Sequence, residues 1–183
     1  MYRYGWGDGW KHRNDRPWAT RKKAGPRTAK FKAPWTVEQL WRCPFREERL
    51  YKTDGRKVWT EWQPAPAPRK TGVWAFDEWL DDLAAGNRDV AAFCNERGLR
   101  MSDIDGLSFV LTGLPAQVFM MKYRVLTLDV MLRHTDWPIK EVARRSGFGS
   151  VYNVFLTCKR EWNTAPVTRR KMIQKPEDLG RYR

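Results

Sequence analysis

Acidic residues, histidines and long apolar runs are all scarce in this chain, and each shortage removes a class of function. Only 21 Asp and Glu stand against 35 Lys and Arg in 183 residues, which leaves a formal charge of +14. Such an excess repels the compact state unless a polyanion neutralises it, so nucleic acid or an anionic surface is the expected partner. No stretch approaches the ~20 apolar residues that span a bilayer. Residues 1–9 are aromatic and glycine-rich, without the apolar core of a secretory signal. A membrane is therefore the weaker choice, and the chain reads as cytoplasmic and nucleoid-associated. Cys43, Cys94 and Cys158 form no Cys-x-x-Cys pair, and the whole chain has 2 histidines. A Cys/His zinc site is disfavoured, the thiols read as free, and no cofactor or metal is expected.

What is abundant is tryptophan and localised positive charge. Seven of the 11 tryptophans lie in the first 62 residues. Residues 1–70 carry a net charge of +11, residues 71–135 carry −3, and residues 136–183 carry +6. Residues 1–34 hold Gly, Pro, Arg and Lys without apolar periodicity and read as a flexible basic arm. Two roles stay open for it: a solubilising tail, or an electrostatic arm whose cations meet phosphates while its indoles stack on bases. Over 35–70 a short helical turn at Thr36–Trp41 precedes a hairpin, with Arg49–Lys52 and Arg56–Thr60 as strands around Thr53-Asp54-Gly55. These tryptophans read as a small core packed on the helical part. Pro64-Ala65-Pro66-Ala67-Pro68 reads as a stiff extended linker, because proline fixes φ and lacks an N–H.

Everything after the linker, residues 71–172, reads as helices. Phe76, Trp79, Leu80 and Leu83 make one stripe that Gly86-Asn87 stops. Asp89 to Arg97 follows, with Val90, Phe93 and Cys94 inward and Gly98 as terminator. A third helix runs from about Ser102 to Leu111 with Ile104, Leu107 and Leu111 inward. After Gly113-Leu114-Pro115 a long helix to His134 is apolar on most faces, so it is expected to be central. Pro138–Arg145, a Ser146–Gly149 turn and Ser150–Trp162 then have the lengths of a helix-turn-helix, whose second helix fits the major groove. Asn163 and Pro166 close it. The basic tail, 173–183, is expected to fray.

Here the chain resembles a known family. Ile139-Lys-Glu-Val-Ala-Arg-Arg-Ser-Gly-Phe148-Gly-Ser, closing at Trp162-Asn-Thr-Ala-Pro166, is similar to the AraC/XylS signature of Ile-x-x-Ile-Ala, a Gly-Phe turn, a recognition helix and aromatic-Gly-x-x-Pro. Gly113, Phe119, Arg124-Val125 and Met131-Leu132 before Thr135-Asp136 resemble that family's linker helix. Val90, Phe93, Cys94, Gly98, Leu99 and Ile104 fit its first helix-turn-helix. The likeness covers roughly residues 76–172. It implies a mainly α fold: a tandem helix-turn-helix joined by a long central helix and preceded here by the Trp-rich arm and hairpin. Three departures stand out: Pro115 sits one residue early, Asn163 replaces a glycine, and the first recognition segment reads Arg100-Met-Ser-Asp-Ile-Asp-Gly106. Two aspartates facing phosphates would be repelled, and Gly106 weakens the helix by ~1 kcal/mol. The second motif is therefore expected to be the main reader.

The resemblance implies a sequence-specific, double-stranded DNA-binding transcription regulator. Ser150, Val151, Tyr152 and Asn153 would meet base edges; Asn pairs bidentately with adenine and Val151 can meet a thymine methyl. Arg144, Arg145, Lys159 and Arg160 would hold phosphates. Tyr152 and Phe155 are alternatively core aromatics, Phe155 more so. About 70 residues precede the helices, too few for the family's ligand-sensing barrel, so no small-molecule inducer is expected. A stand-alone regulator from a phage or other mobile element fits so short and basic a chain. The competing reading is a mobile-element protein that grips host machinery such as RNA polymerase or a defence complex. An enzyme is not expected: the pairs Asp81-Asp82 and Asp103/Asp105 can be imagined as metal ligands, but no His, Ser or Lys constellation accompanies either.

Overall fold

The computed structural model describes residues 31–183 apart from Asp54 and Arg88. Most of the expected arm, residues 1–30, lies outside the described residues. The elements run α1 (Val37–Leu40), β1 (Glu47–Glu48), β2 (Tyr51–Thr53), β3 (Lys57–Trp59), β4 (Gln63–Pro64), α2 (Trp74–Ala84), α3 (Val90–Arg97), α4 (Met101–Thr112), α5 (Ala116–His134), α6 (Ile139–Arg145), α7 (Val151–Trp162) and α8 (Pro166–Ile173). The fold is mainly helical with a small hairpin. Local chemistry sets most boundaries. Thr36 and Gln39 form a reciprocal capping box at α1. The Asp89 carboxylate accepts from the Ala91 and Ala92 amides at the start of α3, and Gly98 ends it in the left-handed conformation at φ 66°.

Two apolar clusters share α5. The first joins α1–α4 to the N-terminal half of α5, with Phe76, Trp79, Phe119 and Tyr123 in ring contact. The second joins the C-terminal half, through Leu128, Met131 and Leu132, to Val142 and Ala143 of α6 and Val154 and Cys158 of α7. A 19-residue helix is long enough, at ~1.5 Å per residue, to serve both. This is why its apolar residues run round most of its circumference.

The N-terminal segment departs from expectation. β2 and β3 pair as predicted, Tyr51 opposite Trp59 and Thr53 opposite Lys57, with Gly55 at φ 68° in the turn. The Pro-rich stretch, however, begins as a strand: Gln63–Pro64 pairs with Glu47–Glu48, and the Ala65 amide donates to the Arg46 carbonyl at 2.9 Å. Trp35 and Trp41 pack against the first cluster. Trp59 and Trp62 instead stack with arginines, Arg49 lying 4.9 and 4.8 Å from their ring centres and Arg183 4.4 Å from Trp62. Cation–π stacking keeps the guanidinium heads wet while covering the indoles.

The tail is docked rather than frayed. Tyr182 stacks on Phe45 at 5.0 Å, the Arg49 amide donates to the Arg181 carbonyl, and the Arg183 amide donates to the Glu47 carbonyl. His134 closes this seam. It is 7% exposed, edge-on to Tyr182, and its Nδ1–H donates to the Asp178 carbonyl at 3.1 Å. Burial pushes its pKa down, nearby Arg181 and Arg133 add to that, and Asp178 opposes it. The folded state thus prefers the neutral ring. That preference stabilises fully above the ordinary value of about 6.5 and is lost progressively below it, as pH falls through the lowered value of the folded state. The denaturation midpoint is expected to be lower at about pH 5.5 than at about pH 7.5, and His134→Gln to narrow the difference. Glu47 and Glu141, whose values are depressed, act below this window.

Candidate nucleic-acid interface

The second helix pair is built around a turn that only particular residues allow. Val142 and Ala143 anchor α6 in the second cluster. The Ser146 hydroxyl donates to the Val142 carbonyl, and the Phe148 and Gly149 amides both donate to the Ala143 carbonyl at 3.0 and 2.9 Å. Gly147 sits at φ 77°, and a Cβ there would lie 3.1 Å from the Arg124 guanidine nitrogen. Ser150 caps α7 by accepting from the Asn153 amide. Asn163 closes it at φ 51°, the one left-handed non-glycine among the described residues. The replacement of the family's glycine is thus accommodated by the side chain that best tolerates that conformation.

Val154, Thr157 and Cys158 point into the cluster, and Val151, Tyr152, Asn153, Phe155, Leu156 and Lys159 face outward. Phe155, expected to be core, is 40% exposed: at i+4 from Val151 it shares the outer stripe, while the inward stripe begins at Val154. The Asn153 amide group donates to the Phe148 carbonyl at 3.1 Å, which fixes its rotamer and leaves its oxygen and second N–H free.

The cations are less free than the sequence suggested. Both Arg144 and Arg145 clasp Glu141, Arg144 through two hydrogen bonds of 2.9 and 2.6 Å. These bonds hold the Glu141 carboxyl down at about 2, so it is ionised at neutral pH and cancels one of the two charges. Arg145 also stacks 4.1 Å over Trp137. Arg160 pairs with Glu161 at 2.7 Å, whereas Lys159 has no carboxylate partner among the described residues. The i,i+3 and i,i+4 spacing from Glu141 was the signal for the clasp. Arg169 and Arg170 turn inward, to Asp129 and to the Trp137 carbonyl, and brace α8.

The first helix pair, α3–α4, presents a different surface. Asp103 accepts from the Arg100 amide and pairs with its guanidinium. Asp105 accepts from the Ala116 amide at 3.0 Å, so its charge sits at the N-terminus of α5, where the helix dipole favours it. Arg97 is tied to Glu78, and no Lys or Arg occurs between Arg100 and Lys122. Of the other acidic pair, Asp81 meets Arg42 and Asp82 accepts from Asn87. Among the described residues no group of His, Cys, Asp and Glu could hold a metal ion, and no single helix is long and apolar enough to cross a membrane. Gly106 lies exposed on α4, and a Cβ there would meet nothing within 4 Å. Gly106→Ala is therefore expected to raise the unfolding free energy by about 0.5–1 kcal/mol in denaturant titration.

No family model matches the chain. Over 88 residues it is 28% identical to the HTH-type transcriptional activator RhaS of Salmonella arizonae, covering 48% of this chain and 32% of that protein. RhaS of Salmonella newport matches with the same figures. The chain thus spans about a third of the length of the curated relatives it matches. Among solved structures, the C-terminal domain of AraT, a response regulator from Geobacillus stearothermophilus, superposes with a TM-score of 0.50 at 15% identity, over 57% of this chain and 86% of that one. Two helix pairs of this order, each with a glycine turn and strung on one long shared helix, give the helical part of the chain a tandem helix-turn-helix fold similar to that of AraC/XylS-type domains.

Proposed function

We propose that this chain is a sequence-specific, double-stranded DNA-binding transcription regulator that reads its site mainly with α7. The observation that carries this reading is the contrast between the two pairs. α7 presents an uncovered face with Lys159 and Arg160 at its far end and Arg144 and Arg145 at the turn, and residues 139–162 carry a net charge of +3; residues 89–112 carry −2, because Arg97 and Arg100 stand among Asp89, Glu96, Asp103 and Asp105. Phosphate neutralisation supplies most of the affinity for a duplex, so the pair with the excess of positive charge is the one better held in a groove. The likeness to a transcriptional activator supports the regulatory role. Residues 71–172 form the reading unit, with 1–34, 35–70 and 173–183 as flanking segments. Ser150, Val151, Tyr152 and Asn153 take the base edges.

Selection from a random duplex library, followed by a salt series on the winner and a scrambled duplex, tests this. A winner-to-scramble ratio above ~1,000 is expected. Asn153→Ala should lose about 1–3 kcal/mol of discrimination at one base pair. Arg160→Ala should instead weaken all duplexes alike and lower the salt slope by about one. Parental behaviour of both variants would remove α7 from the interface.

A second reading has its own observation. Val110 stands exposed on the outer side of α4, a helix with no cation between Met101 and Thr112, and Met101 is exposed at its first turn. That surface suits a protein contact, such as RNA polymerase or other host machinery, better than a phosphate-lined groove. Steep salt dependence without an enriched motif would favour it.

A further inference from the structure

The outer stripe of α7 is apolar to a degree that phosphate binding does not explain. Val151 is 46% exposed, Tyr152 68%, Phe155 40% and Leu156 47%. They stand at i, i+1, i+4 and i+5, a band of about 140° of the helix, while Val154 and Cys158 along its inner side are sealed in the core. Proteins seldom leave such contiguous apolar surface to water without a use for it. The surroundings indicate the occupant. The only carboxylate on α7 is Glu161, and it is paired with Arg160. Arg144 and Arg145 flank the stripe at one end and Lys159 and Arg160 at the other. A polyanion that offers apolar groups at its centre complements this pattern, and the major groove does so only through the C5 methyl of thymine.

We infer that α7 recognises thymine methyl groups by apolar contact through Val151, Tyr152, Phe155 and Leu156, so that its half-site is rich in thymine. This rests on α7 being the DNA reader. From Val151 to Leu156 the helix rises about 7.5 Å, the length of about two base-pair steps. The stripe therefore covers about three consecutive base pairs. Asn153, at its edge and held by the Phe148 carbonyl, is left to pair with one adenine.

The test replaces each thymine of the selected duplex, one at a time, by deoxyuridine, which removes the methyl and keeps the base pair. Two or three adjacent positions should each lose about fourfold in affinity, the worth of one buried methyl. Phe155→Ser combined with Leu156→Ser changes exposed side chains only and should keep the circular dichroism spectrum and the salt slope. It should no longer distinguish thymine from uracil at those positions. An enriched motif that tolerates uracil everywhere overturns the inference and leaves α7 a reader of another kind. Absence of any motif overturns both. Concentration-dependent dimers in sedimentation that the double variant abolishes also overturn it, because the stripe would then be covered by a second copy.

Discussion

Val154→Asp is expected to abolish site-specific DNA binding while α2–α4 stay folded. Val154 is fully buried, with Val142, Ala143, Phe148, Cys158 and Leu132 in the same cluster. A carboxylate there loses its hydration and gains no partner, a change that costs about 3–5 kcal/mol when an ion is left uncompensated. The first cluster draws on α1–α5 and on no residue of α6 or α7, so the damage has a boundary. In hydrogen exchange the α6 and α7 amides should lose protection by about a thousandfold, and those of α2–α4 by much less. Equal losses in both regions would mean one cooperative unit. Retained discrimination would mean that α7 is not the reader. Phe155→Ser, on the outer stripe of the same helix, should leave all protection intact.

The elements were legible in the sequence where their determinants are local. Asp89, Gly98, Gly113, Ser150 and Asn163 each act within a few residues of where they stand, and each marks the helix end that the structure shows. Phe76, Trp79, Leu80 and Leu83 announce their stripe by spacing alone. What stayed hidden depends on partners far away in the chain. Pro64 looked like a linker because its pairing lies with Glu47. The tail looked frayed because the ring that holds Tyr182 belongs to Phe45. Asp105 looked like an obstacle to DNA because the amide it satisfies is that of Ala116, across the turn into α5. Phe155 is a separate case: its angular position was readable, but its hydrophobicity suggested burial, and position decided.

Phe119→Ala should lower the unfolding free energy by about 3–5 kcal/mol, the usual cost of deleting a buried aromatic ring. Phe119 is fully buried on α5, 5.6 Å from the ring centres of both Phe76 and Trp79, and its ring also meets Tyr123. These neighbours come from α2 and α5, so the cavity opens where α2 is seated on the central helix and cannot close by a rotamer change at one surface. For a unit of this size the melting midpoint should fall by roughly 6–20 °C. A cost below ~1 kcal/mol would show that the ring cluster is not what holds the first unit. The variant also separates bracing from reading. If α3–α4 act as a brace, the fraction that remains folded at low temperature should keep the parental winner-to-scramble ratio, and apparent affinity should fall only as the folded fraction falls. A drop in that ratio, measured where circular dichroism shows the variant still folded, would transfer part of the base reading to α4. The capped Asp105 and the cation-free helix would then have to be explained as contacts made in the groove.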